Sequence, residues 1–282
     1  MENKREKDIF DLYGLDRENP ETVAFVVAAC KAGYKLYKLF AKGKDPFPAF
    51  SQFITAWQYY SVVPEAMKPQ LEKKALKPFI SMWNDVSASM ANHFCQLCER
   101  VSPQKKRVTA DLCKSCLYLL DAISVLDGKL PEAARIFETA KKTAESGKAG
   151  ADTCAALLYL LCGRICYRSF GRTGKEEEDL LAAGIRCHLN AMPDSPVRDT
   201  ELYAVHISGA IHDLLFLKLE REETPNEQEI ADLIIEGFAV VSDFDTPAAD
   251  LCRDNFEKLI EFSDEEIEKL RSLKKSNHDE SR

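Results

Sequence analysis

Apolar residues recur along this chain at three- and four-residue intervals almost from end to end, the period of an amphipathic helix. Asn19-Pro20-Glu21 reads as a cap with proline at the first helical position, and Gly43 as the stop. Between them Val23, Val26, Val27, Cys30, Tyr34 and Tyr37 form one apolar stripe. The pattern predicts further helices over residues 48–62, 72–93, 117–126, 131–145, 153–170, 175–190 and 200–222. Two more are marked by their caps. Thr224-Pro225-Asn226-Glu227 reads as a capping box with proline at N1, opening a helix to about Val241, and Thr246-Pro247 opens one ending near Phe262. Ser263-Asp264-Glu265-Glu266 is a second capping box, and the polar tail 275–282 predicts disorder. Strand-type alternation is nearly absent, so the expected fold class is all-α.

One segment departs from this pattern. Cys95-Gln-Leu-Cys98 and Cys113-Lys-Ser-Cys116 are two CxxC pairs separated by fourteen residues. Pairs at this spacing suit a tetrahedral metal, each folding as a knuckle that points two sulfurs at one centre. The expectation is a knuckle, a short β-hairpin, and a helix capped by Asp111 with Cys113 and Cys116 in its first turns. Free amides there lower thiolate pKa values. That plan resembles a treble-clef zinc finger. Four thiolates close the shell around one Zn2+ ion and leave no place for a reacting water, so the site reads as structural. Two redox pairs or an iron–sulfur cluster are the other chemistries four cysteines serve, but the strand-to-helix setting of a redox CxxC is missing.

After the cysteines the helices come in pairs. Gly128-Lys129 falls at a turn, and Ala133, Phe137 and Ala140 follow in the next helix. This small–large–small spacing after a glycine turn resembles the tetratricopeptide repeat, where small residues let helices approach and the large one fills the gap. A second copy puts Tyr167, Gly171, Leu180 and Ala183 at the corresponding positions, its glycine 43 residues on from the first. The repeat period is about 34, so an insertion separates the units, and no tryptophan stands at the usual first-helix position. The resemblance covers residues 117–190 and implies a helical array with a protein- or peptide-binding groove.

Composition narrows the partners. Ten cysteines stand in a chain with 45% hydrophobic and 30% charged residues. No apolar h-region follows the charged N-terminal residues, and the apolar run 154–167 is too short to span a bilayer. The expectation is a reduced, cytoplasmic protein with no membrane partner. Cys30, Cys154, Cys162, Cys166, Cys187 and Cys252 lie within helical patterns and read as small hydrophobes, although Cys154, Cys162 and Cys166 also form a possible thiol cluster. A net charge of −8 opposes bulk attraction to nucleic acid. Arg100, Lys105, Lys106 and Arg107, between the cysteine pairs, form the one local basic set suited to phosphate contact. Nine aromatics crowd residues 34–60, more than a helical hairpin buries alone, and suggest an interface or groove.

No phosphate loop, nucleophile elbow or metallohydrolase pairing occurs. His206 and His212 are six residues apart on one predicted helix, a rotation of about 600° that sets them on opposite flanks. With Asp213 they are the candidates for an enzyme site. The expected organisation is an N-terminal helical region (1–94), a zinc module and its helix (95–127), a helical array (128–274) and a tail (275–282). The function expected is a protein-interaction scaffold held by structural zinc. A nucleic-acid-associated regulator and an enzyme with a site on the array are the alternatives. Metal analysis of freshly purified, never-chelated protein tests the clamp: about one equivalent of zinc is expected, and less than about half an equivalent would remove it.

Overall fold

The computed structural model describes residues 77–125, 130, 132–150, 152–170, 175–190, 200–221 and 226–260, with residue 24. The two helices expected before residue 62, the aromatic-rich stretch, the Gly128 and Gly171 turns and the second capping box lie outside them. Eight helices occupy the described residues: α1 (Lys77–Arg100), α2 (Lys106–Val125), α3 (Ala133–Glu145), α4 (Thr153–Phe170), α5 (Lys175–Asn190), α6 (Glu201–Arg221), α7 (Glu227–Val241) and α8 (Pro247–Ile260). No strand is present among the described residues, so the all-α reading holds.

Besides the helix expected over 72–93, which continues through the first cysteine pair to Arg100, two of the expected boundaries need correction. The segment between the cysteine pairs is a turn over residues 101–105 and not a β-hairpin. Within it Lys105 N–H donates to the Ser102 carbonyl at 2.9 Å, and the Thr109 hydroxyl returns to the same carbonyl at 3.0 Å. These contacts start α2 at Lys106, so Asp111 lies inside the helix and caps nothing. Its carbonyl instead accepts the Ser115 hydroxyl at 2.8 Å. The second correction concerns α7. Its N-cap is Asn226, whose side chain accepts from Gln228 and Glu229 N–H at 3.1 and 3.3 Å, two residues beyond the expected Thr224.

The chain divides into two compact units, Met1–Arg100 with Tyr118–Thr139, and Val101–Leu117 with Ala140–Arg282. In the first, Met90, Ala91, Phe94, Cys95, Leu97 and Cys98 are buried positions of α1, and Leu119, Leu120, Ile123, Ile136 and Phe137 are also buried.

The second unit contains the array α4–α8. Asp152 caps α4, taking Cys154 N–H at 2.9 Å, and Thr246 caps α8, taking Ala249 N–H at 3.3 Å. Helix α4 is buried over most of its length. It packs on α5, α5 on α6, and α6 on both α7 and α8, which also pack together. Helix α6 is central, and its Glu201–Leu219 stretch is long and apolar enough to cross a membrane. Half of that stretch is buried inside the protein.

Glycine sets how closely these helices approach. A Cβ on Gly163 of α4 would lie 2.8 Å from Leu181 Cδ2 of α5, and one on Gly184 of α5 would lie 3.2 Å from the Ala156 carbonyl of α4. The tightest case is Gly237 of α7. A Cβ there would lie 2.1 Å from Cζ of Phe256, whose ring is wholly buried. Around it Phe238 meets Phe256 at 5.4 Å between centroids, and His212 meets the same ring edge-on at 5.9 Å. The Ser208 hydroxyl of α6 donates to the Gly237 carbonyl at 3.1 Å. Gly237→Ala is expected to cost about 1–3 kcal/mol in urea unfolding through overpacking, and Phe256→Leu to recover part of it, giving a non-additive double mutant. Additive losses would mean that the glycine does not set this spacing.

Candidate functional site

Both cysteine pairs lie within helices. Cys95 and Cys98 are in the last two turns of α1, and Cys113 and Cys116 are two to three turns into α2. At i,i+3 spacing each pair shares a helical face, and all four residues are buried. The expected placement of Cys113 and Cys116 at a helix start is therefore corrected: no free first-turn amide is near them. Cys95 Sγ lies 3.5 Å from the Thr139 hydroxyl. In the second unit Cys113 acquires a neighbour absent from the motif, Cys154, the second residue of α4. A hydrogen bond to Cys113, burial, and the nearby Cys116 and Asp152 hold Cys154 well above the ordinary thiol pKa. It stays a protonated thiol, which suits packing more than ligation. Among the described residues no group of three or more His, Cys, Asp or Glu side chains is placed to hold a metal ion. No chemistry is derived through a metal.

No disulfide is formed among the nine described cysteines. Cys162 and Cys166 are buried in α4. Cys252 packs with Ala204, Val241 and Ala249, and burial raises its pKa. Of the basic set, Arg100 ends α1 and donates from Nε to the Gln96 carbonyl at 3.1 Å. Lys105, Lys106 and Arg107 are exposed at the start of α2.

His206 and His212 diverge, as their separation requires. His212 turns to Phe256, with Nδ1 3.8 Å from Asp213. His206 lies in the environment of Arg164, which reaches from α4 across Gly209 to pair with Asp213 at 2.5 Å. The His206 Nε2 nitrogen is shut off from solvent without a hydrogen-bond partner. Burial and the Arg164 charge lower its pKa to about 3, so the imidazole is neutral near pH 7. Asp213 is paired with Arg164, and no contact joins it to His206.

Sequence reasoning missed a different histidine. His188 of α5 is buried, its Nδ1 2.7 Å from the Tyr203 hydroxyl of α6 and its Nε2 3.1 Å from Glu236 of α7. This chain ties three helices together and satisfies both ring nitrogens. Its members are 15 and 48 residues from His188, so no local spacing could have revealed it.

The remaining feature is a cleft of about 700 Å³ at the end of the array, lined by Ile234, Ile235, Phe238, Ala239, Ser242, Phe244, Asp245 and Arg253. Its α7 residues run along one face of that helix for about two turns. Arg253 of α8 closes the C-terminus of α7, donating to the Val241 and Phe244 carbonyls at 2.9 and 3.1 Å. It also pairs with Asp250. The Arg253 charge on the cleft wall is thus matched within the protein, while the floor is aliphatic and aromatic.

No family model, curated protein or solved structure matches this chain.

His206 makes a signed prediction. Its folded pKa lies below the unfolded value, so its contribution is complete above about pH 6.5. It is lost as pH falls toward 3, because the unfolded chain takes up a proton that the folded one refuses. From pH 8 to pH 5 the loss is about 2 kcal/mol. Urea unfolding of His206→Phe is expected to show that much less pH dependence than the wild type, and an unchanged pH dependence contradicts the burial of a neutral ring.

Proposed function

We propose that this protein is a helical protein-interaction module and that the cleft along α7 and α8 is its docking surface. The observation that carries the reading is the apolar floor of Ile234, Ile235, Phe238 and Phe244, half-buried in a cleft at the last described helix pair. Inner helices of such an array are covered by neighbours on both sides, whereas α7 and α8 are the last helix pair among the described residues. A groove of this kind accepts an amphipathic helix presenting apolar side chains at three- and four-residue spacing. Asp243 and Asp245, exposed in the turn after α7, favour a partner with basic residues at the end meeting that turn. The tetratricopeptide-like spacing and the closely packed α4–α5 pair support the same class of function.

Structural zinc held by Cys95, Cys98, Cys113 and Cys116 is a companion proposal. Its support is that each pair is buried on one helical face. Nucleic-acid contact through Arg100, Lys105, Lys106 and Arg107 is supported only by exposed charge.

A library of labelled amphipathic helical peptides, varied in apolar register and in terminal charge, tests the docking reading by fluorescence anisotropy. Binding by members with a basic C-terminal end is expected, and Ala239→Arg, at an exposed position of the cleft wall, is expected to weaken it at least ~10-fold. Unchanged affinity in Ala239→Arg, or no binding by any member, contradicts the proposal.

A further inference from the structure

The chain continues beyond Ile260, the last residue of α8, with a segment whose pattern suits the cleft. Ser263 and Glu266 stand as N-cap and N3 of a capping box, and Phe262 and Ile267 hold the N′ and N4 positions of a hydrophobic staple. From there Ile267, Leu270 and Leu273 recur every third residue, with Glu265, Glu268, Lys269 and Ser272 on the other positions. Asp264, Glu265 and Glu266 open the predicted helix and Arg271, Lys274 and Lys275 close it, the arrangement that its dipole favours.

We propose that residues 263–274 form a helix that folds back on α8 and occupies the α7–α8 cleft as its resident ligand. This rests on reading the cleft as a docking surface and names its occupant.

Three observations favour this segment over a second copy or a separate protein. The link from Ile260 to Ser263 is short, and short links join antiparallel neighbours. Running back along α8 at about 1.5 Å per residue, Ile267 comes level with Ile234, Leu270 with Phe238, and Leu273 with Ser242. The same direction carries Arg271, Lys274 and Lys275 toward Asp243 and Asp245. The segment therefore matches the cleft in reach, apolar spacing and charge. An external partner for the cleft would compete with it.

Hydrogen exchange on the full chain tests this. With the wild type and Leu270→Asp side by side, amides of residues 231–242 are expected to exchange at least ~10-fold faster in the variant, at every protein concentration. Exchange in α4 and α5 is expected to be unchanged. A synthetic peptide of residues 261–282 is expected to restore the slow rate. Equal exchange in both proteins overturns the proposal: slow exchange that strengthens with protein concentration assigns the cleft to a second copy, and fast exchange leaves it open for a separate partner. A general rise across α4 and α5 that the peptide does not reverse also overturns it. The two proposals fail separately. Library peptides that bind while tail protection is absent remove the tail alone, and tail protection without peptide binding to Leu270→Asp removes the external partner alone.

Discussion

The second unit depends on the contact between the Phe256 ring and the bare backbone of Gly237. A ring that would sit 2.1 Å from any Cβ can be accommodated only by glycine, and the ring is fully buried. This one contact sets the separation of α7 and α8. It also brings Phe238 against Phe256, beside the cleft that the adjoining face of α7 lines. Ser208 holds α6 to the carbonyl of the same glycine, so three helices share a single point of close approach. The Gly163–Leu181 and Gly184–Ala156 contacts repeat the device between α4 and α5. In both places a missing side chain permits a separation that dispersion contacts then fill.

The polar groups inside the array follow from that packing. With helices this close, a buried charge is kept only when another group answers it. Arg164 answers Asp213, and Glu236 and Tyr203 answer the two nitrogens of His188. Arg253 answers the open carbonyls at the end of α7. His206 has no such answer at Nε2 and gives up its charge. These contacts fix register between helices, and none presents an open reacting group. The cysteines follow the same logic: Cys154, Cys162 and Cys166 occupy the small buried positions of α4, where a bulkier side chain would force its neighbours apart.

Much of this was readable from local chemistry. The extents of α4 and α5 follow from apolar periodicity, and Pro247 after Thr246 marked the start of α8, because caps and stripes are set by residues within one or two turns. The start of α2 was not readable: Asp111 resembles a cap, but the turn built on Ser102 and Thr109 begins the helix earlier and moves Cys113 and Cys116 into its interior. Asn226 in place of Thr224 is the same kind of shift, between two residues that both cap well. The His188 contacts, the pairing of Arg164 with Asp213, and the demand for glycine at 237 depend on which helices become neighbours. The cleft is of that kind too, since Ile234, Ile235 and Phe238 of α7 meet Phe244 and Arg253 only once α8 packs beside that helix.

The central claim is that this edge is a docking surface and that the chain supplies its first occupant. The most direct measurement places photoreactive benzoylphenylalanine at position 235 of the full chain and maps the adduct by mass spectrometry. The account predicts an intrachain cross-link to residues 264–274. Cross-links confined to α7 and α8, or reaching only another polypeptide, would contradict it.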